Sequence, residues 1–216
     1  INIQPKYYWT GTFPREVCMT RTERFVDHVR KHLKEYGMNL IFGRGSLVNL
    51  GTGGRTVGYF DDLEKTIRVA KNNNEWVDTL VHEYCHFMQW LDTPAQTWAA
   101  DSRACWIVDD YLFENKKHPD LAWAFRRVRD YERDCEIRSV QMIRKWKLPI
   151  GEKTYIRKAN MYVYSYYIME ALGEWEPFTQ SPYTMASVVL KMPSTFRARA
   201  HRVLPARIKN TLLAYC

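Results

Sequence analysis

The chain has 216 residues, 46% of them hydrophobic and 14% aromatic, which excludes a disordered polymer and suits one domain, or one domain with an extension, able to bury its own core. The five cysteines are odd in number, scattered and free of any CxxC pair, so neither a disulfide framework nor a thiolate zinc module is indicated and a reducing compartment is expected. The net charge of +8 is uneven: residues 1–140 carry 20 Lys/Arg against 20 Asp/Glu, and residues 141–216 carry 12 against 4.

Ile1 to Trp9 lacks the charged start and apolar run of a signal peptide, and no apolar stretch approaches the roughly 20 residues that cross a bilayer. Thr20 or Thr22 is expected to cap a helix that runs to Tyr36, where Gly37 stops it, with Phe25, Val29 and Leu33 on one face. Met38 to Phe42 reads as a short strand. Gly43 to Gly58 holds six glycines at spacings that match neither a Walker loop nor a dinucleotide fingerprint, so it reads as a flexible loop. Thr56 to Phe60 and Thr66 to Ala70 read as strands around an Asp61-Asp62 turn. Asn72 to Asn74 offer caps for a helix over Glu75 to Leu91, and Pro94 lies just beyond its end.

Further helices are expected over Arg103 to Asn115, Pro119 to Lys147 and Glu152 to Leu172. Pro177, Pro182, Pro193 and Pro205 cut the remainder into short pieces, and no internal repeat stands out. The expected fold is α+β and mostly helical. A small sheet would pack on the Glu75 to Leu91 helix and on the long Pro119 to Lys147 helix within residues 1–150, and a helical, basic extension over 151–216 would pack on the same domain.

His82-Glu83-Tyr84-Cys85-His86 spells HExxH inside a predicted helix. Residues i and i+4 share a helix face, so both imidazoles can reach one metal. Glu83 starts beside the first ligand and can take a proton from a metal-activated water attacking a carbonyl. Two histidines leave zinc short of the three protein ligands that a catalytic site needs. Gln89 and Asp92 stand where an extended HExxHxxGxxH motif has its glycine and third histidine, so the third ligand must come from elsewhere. The best candidate segment is Tyr131-Glu132-Arg133-Asp134-Cys135-Glu136, in the middle of the long predicted helix. Glu132 and Glu136 share a face, so one can bind metal while the other supports a ligand. Cys85 and Cys135 read as packing residues. His28 and His32 also stand four apart, but Val29 occupies the place of the motif's Glu, and they read as surface histidines.

The two segments together resemble the gluzincins, which carry HExxH on one helix and Glu-x-x-small-Asp/Asn on a later one. By that match Glu132 is the zinc ligand and Glu136 its supporting group. Glu136 stands where the family has Asp or Asn, which leaves Glu136 open as an alternative ligand. The compact layout also looks like the ImmA/IrrE-type minimal gluzincins and the stand-alone HExxH proteins of tailed bacteriophages, over roughly residues 40–145. The resemblance implies a zinc peptidase with Glu83 as general base, working in the cytoplasm, in the host or a virion if phage-encoded. It also implies an extended peptide along an edge strand, here expected at Thr66 to Ala70. An oxyanion donor is expected from Tyr155, Tyr162, Tyr164 or His201.

Other functions compete with this one. The basic residues Lys191, Arg197, Arg199, Arg202, Arg207 and Lys209 can form a solvated face, or contact an acidic surface or nucleic acid. The chain can also be a catalytically silent zincin-fold scaffold or adaptor.

Overall fold

The computed structural model describes residues 19–50, 54–175, 186–196 and 200–216. The first helix, α1 (Arg21–Glu35), opens on a capping box: Thr20 Oγ1 accepts from the Glu23 N–H at 3.2 Å, and Glu23 Oε2 accepts from the Thr20 N–H at 2.7 Å. Thr20 is therefore the cap, and Thr22 is not. Phe25, Val29 and Leu33 on its inner face are fully buried.

Five short strands follow: β1 (Asn39–Gly43), β2 (Val48–Asn49), β3 (Arg55–Thr56), β4 (Gly58–Asp61) and β5 (Thr66–Ala70). β2 and β3 pair antiparallel within the glycine-rich segment read from sequence as a loop. The main sheet runs β1-β5-β4, with β5 parallel to β1 and antiparallel to β4. Thr66 to Ala70 is thus the central strand, which overturns its expected place at the edge. β5 is paired with β1 along one side and with β4 along the other, and its Thr66, Ile67, Val69 and Ala70 are all buried. The edge next to the Trp76–Asp92 helix is β4, and the edge next to α1 is β1.

The helices are α2 (Trp76–Asp92), α3 (Ala95–Glu114), α4 (Leu121–Trp146), α5 (Glu152–Leu172), α6 (Ala186–Val189) and α7 (Ala206–Leu213), with a 3-10 turn at Ala200–Arg202. The fold is mostly helical with a small mixed sheet, an α+β arrangement. α3 begins at Ala95 and not at the expected Arg103, because Pro94 does more than follow α2. Its carbonyl accepts from the Trp98 N–H at 3.0 Å and starts the next helix.

One core joins α1, β1, β5, α2 and α4 to the start of α5 through Phe25, Ile67, Leu80, Phe87, Cys135 and Tyr155. A second lies between α3, α4 and α5, and a third joins α5 to α6 and α7. Among the described residues no helix is long and apolar enough to cross a membrane. Lys191, Arg202, Arg207 and Lys209 are exposed, Arg202 pairs with Asp130 at 2.9 Å, and Arg197 and Arg199 lie outside the described residues.

Candidate metal centre

His82 and His86 stand one turn apart on α2, their rings 4.5 Å apart and nearly perpendicular, with the two Nε2 atoms 3.0 Å from each other. α4 crosses α2 here. It brings Glu132 Oε2 to 3.6 Å from His82 Nε2 and 3.4 Å from His86 Nε2. That carboxylate oxygen is buried and makes no hydrogen bond among the described residues. A buried carboxylate oxygen left without a partner costs free energy until a cation or donor meets it, so the triangle of two nitrogens and this one oxygen fits a cation.

The remaining ring nitrogens are occupied. Glu136 Oε1 lies 3.2 Å from His82 Nδ1, and Gln89 Oε1 lies 2.9 Å from His86 Nδ1. Gln89 is 3% exposed, and its Nε2 donates to the Tyr131 carbonyl at 3.0 Å and to Asp134 Oδ2 at 2.8 Å. Both acceptors demand the amide N–H₂, so the amide oxygen must face His86 and accept from Nδ1–H. Each imidazole then turns its Nε2 toward the common point. Gln89 was noted in the sequence only as a missing glycine. Its signal was its place three residues past His86, on the same helix face.

Cys135 is fully buried on α4 between the two glutamates, its thiol 3.2 Å from the His82 carbonyl, to which it donates, and 3.7 Å from His82 Nδ1. His82, His86 and Cys135 offer ligand atoms within 4.8 Å of one another, a group able to hold a metal ion. Burial opposes charge on His82 and His86. Cys135 and the Glu136 carboxylate around the first, and Cys135 and the Glu132 carboxylate around the second, outweigh burial and hold both imidazoles well above the usual histidine range. The site therefore favours positive charge at this point, whether proton or metal.

Glu83 is 8% exposed, and burial raises its pKa against the opposing pull of His82 and His86. Burial also raises that of Glu132, but His86 and then His82 reverse the effect and leave it lowered. Two carboxylates at one site are thus pushed in opposite directions. The Glu83 side chain lies against β4, where the nearby Phe60 main chain partly offsets the rise. Gly58 permits this approach: a Cβ there would stand 2.5 Å from Thr79 Cγ2, 2.9 Å from the Arg68 carbonyl and 3.5 Å from Glu83 Cγ.

Of the four expected oxyanion donors, only Tyr162 stands beside the histidine pair, its ring 6.1 Å from that of His82 and its hydroxyl bonded to Glu132 and, at 2.8 Å, to Tyr166. Tyr155 is buried against Glu136 and Ser139, Tyr164 packs in the α5–α6–α7 core, and His201 pairs with Asp130 at 2.5 Å. Tyr131 stacks on His86 at 4.7 Å, and Trp98 buttresses it from α3 while donating to Asp62 at 2.9 Å. A cavity of about 320 Å³ opens behind this support, lined by Gln89, Asp101, Trp123, Asp130, Tyr131 and others, on the Nδ1 side of His86 and away from the Nε2 triangle.

No protein-family model matches the chain, and no curated protein or solved structure matches it.

Proposed function

We propose that the chain is a zinc-dependent peptidase of gluzincin type, with His82, His86 and Glu132 as metal ligands and Glu83 as general base. One observation carries the reading: the triangle of His82 Nε2, His86 Nε2 and Glu132 Oε2, with sides of 3.0, 3.4 and 3.6 Å. Ligand atoms around tetrahedral zinc with bonds of about 2.0 Å stand about 3.3 Å apart, so the three atoms need only fractions of an ångström to close on an ion. Glu136 and Gln89 support the reading because they fix both imidazoles with Nε2 toward that ion.

Zinc bound there supplies a Lewis acid and lowers the pKa of a water from about 15.7 toward 7. Glu83, pushed up by burial, is matched to accept the proton of the attacking water and pass it to the leaving amine. Tyr162 is the candidate donor to the oxyanion once its hydroxyl turns from Glu132. β4 offers the outer edge of the sheet to an extended peptide. The zincin-like crossing of an HExxH helix over a Glu-bearing helix belongs to the same proposal.

The test is cleavage of an unstructured protein, read by mass spectrometry, with wild type beside Glu83→Gln. The expected result is cleavage by wild type alone, with equal metal in both proteins. Equal cleavage by both, or wild type that binds no metal when zinc is offered, would sink the reading.

A second reading is a metal centre that braces the fold without chemistry. The nearness of the Cys135 thiol favours it, because four protein ligands leave no open position. Against it, the thiol donates to the His82 carbonyl and approaches Nδ1, the nitrogen that Glu136 already holds. Under this second reading Cys135→Ala releases the metal and Glu83→Gln changes nothing.

A further inference from the structure

α1 carries another pair of histidines one turn apart. His28 and His32 are half-buried, and both rings turn toward one atom of α2. Tyr84 Oη lies 3.0 Å from His28 Nε2 and 2.7 Å from His32 Nδ1. The Tyr84 ring is 1% exposed and packed edge-on to Phe25 and against Phe87, so its oxygen is fixed in place. A phenol has one proton to share, so it serves one imidazole as donor and the other as acceptor. Burial, then His32 and Lys145, hold His28 below its usual range while Glu35 and Asp27 oppose them.

We propose that His28, His32 and Tyr84 form a second metal site at the contact of α1 with α2, for a borderline divalent transition ion of the Zn²⁺, Ni²⁺ and Cu²⁺ class. Imidazole nitrogen with a phenol oxygen is a donor set such ions accept. Histidines four apart present both rings on one side of a helix, the placement that HExxH itself exploits. Two ligand atoms at about 2.0 Å from an ion and near a right angle stand about 2.8 Å apart, and the two nitrogen–oxygen distances of 2.7 and 3.0 Å bracket that value. Both imidazoles are only partly buried, which gives an ion an entry path from solvent. Tyr84 lies inside the HExxH sequence but on the opposite face from His82 and His86, so an ion here would brace α2 from behind.

The test isolates this site in the full chain carrying His82→Ala and His86→Ala. Calorimetric titration with Zn²⁺ and with Ni²⁺ should give one equivalent bound, and the unfolding midpoint should rise with metal. Adding His32→Gln, which keeps a hydrogen-bonding side chain, should weaken binding by about tenfold or more and abolish that rise. Electron paramagnetic resonance of bound Cu²⁺ should show two imidazole nitrogens in the parent and fewer in His32→Gln. A cooperatively folded parent that binds neither ion would overturn the proposal, as would binding unchanged by both His28→Gln and His32→Gln. If the parent does not fold, the wild-type chain decides. His32→Gln must lower the metal count by one, whatever that count is, and an unchanged count overturns the site. The outcome does not depend on His82 and His86 holding zinc, because the change in count is read at His32 alone.

Discussion

The same two-histidine spacing occurs twice, on helices that touch, and the two pairs behave in opposite ways. His82 and His86 on α2 face Glu132 and Glu136 from α4, and their surroundings hold positive charge on them. His28 and His32 on α1 face a neutral phenol, and burial pushes His28 the other way. Helical spacing makes a chelating face in both places. What packs against that face decides whether it meets a carboxylate cage able to hold a cation or a neutral clasp between helices. The difference lies in the crossing of α4 over α2, and it can be broken or sharpened there.

The largest effect is expected from His82→Ala. It removes a direct ligand and should cost more metal affinity than the upper end of about 100-fold typical of an outer partner, measured by competition with a chelating dye. Glu83→Gln should leave that affinity unchanged and lower cleavage by about 10²- to 10⁴-fold in kinetic assays of the wild type's substrate. Gln89→Leu should weaken metal binding by about 10- to 100-fold, because His86 Nδ1–H loses its acceptor. Exchanging the two groups, with Gln89→Glu and Asp134→Asn together, keeps an acceptor facing His86 and should recover most of that loss.

Smaller effects test the frame around the site. Gly58→Ala forces a methyl group to 2.5 Å from Thr79 Cγ2 and should cost about 1–3 kcal/mol in urea unfolding, with a matching shift of Glu83. Asp78, half-buried on α2, has its pKa raised to about 6, chiefly by burial and then by Glu75. A folded pKa above the ordinary 3.8 means that ionisation opposes folding. This contribution is fully favourable below pH 3.8 and is lost as the pH rises through about 6. Asp78→Asn should therefore stabilise the fold at pH 7 by about 1 kcal/mol, after allowance for solvent screening, and give no gain below about pH 4.

The residues that the structure gathers at the centre were legible where spacing along one helix carries the information. His82, Glu83 and His86 share α2, and Glu132 and Glu136 share α4, so local periodicity placed each set on a face. The crossing that joins the two sets is a tertiary fact. Cys135 was read as a small packing residue, yet its thiol joins His82 and His86 in a group able to hold a metal ion, which no spacing announces. Gln89 escaped because glutamine has no motif of its own as a support for histidine. The edge strand was misplaced because Thr66 to Ala70 and Gly58 to Asp61 are both short and apolar enough for either role. Only the parallel pairing of β5 with β1 across the intervening segment decides between them. His28 and His32 were read as surface residues because their partner, Tyr84, lies 52 residues beyond His32.

The most direct test of the centre is X-ray absorption at the zinc edge on the metal-loaded wild-type chain, beside Glu132→Ala and Cys135→Ala. The expected spectrum has one zinc per chain in a shell of nitrogen and oxygen only, at about 2.0–2.1 Å, unchanged in Cys135→Ala and lost or altered in Glu132→Ala. A sulfur neighbour at about 2.3 Å that disappears in Cys135→Ala would contradict the proposed ligand set and make the centre a closed, structural one.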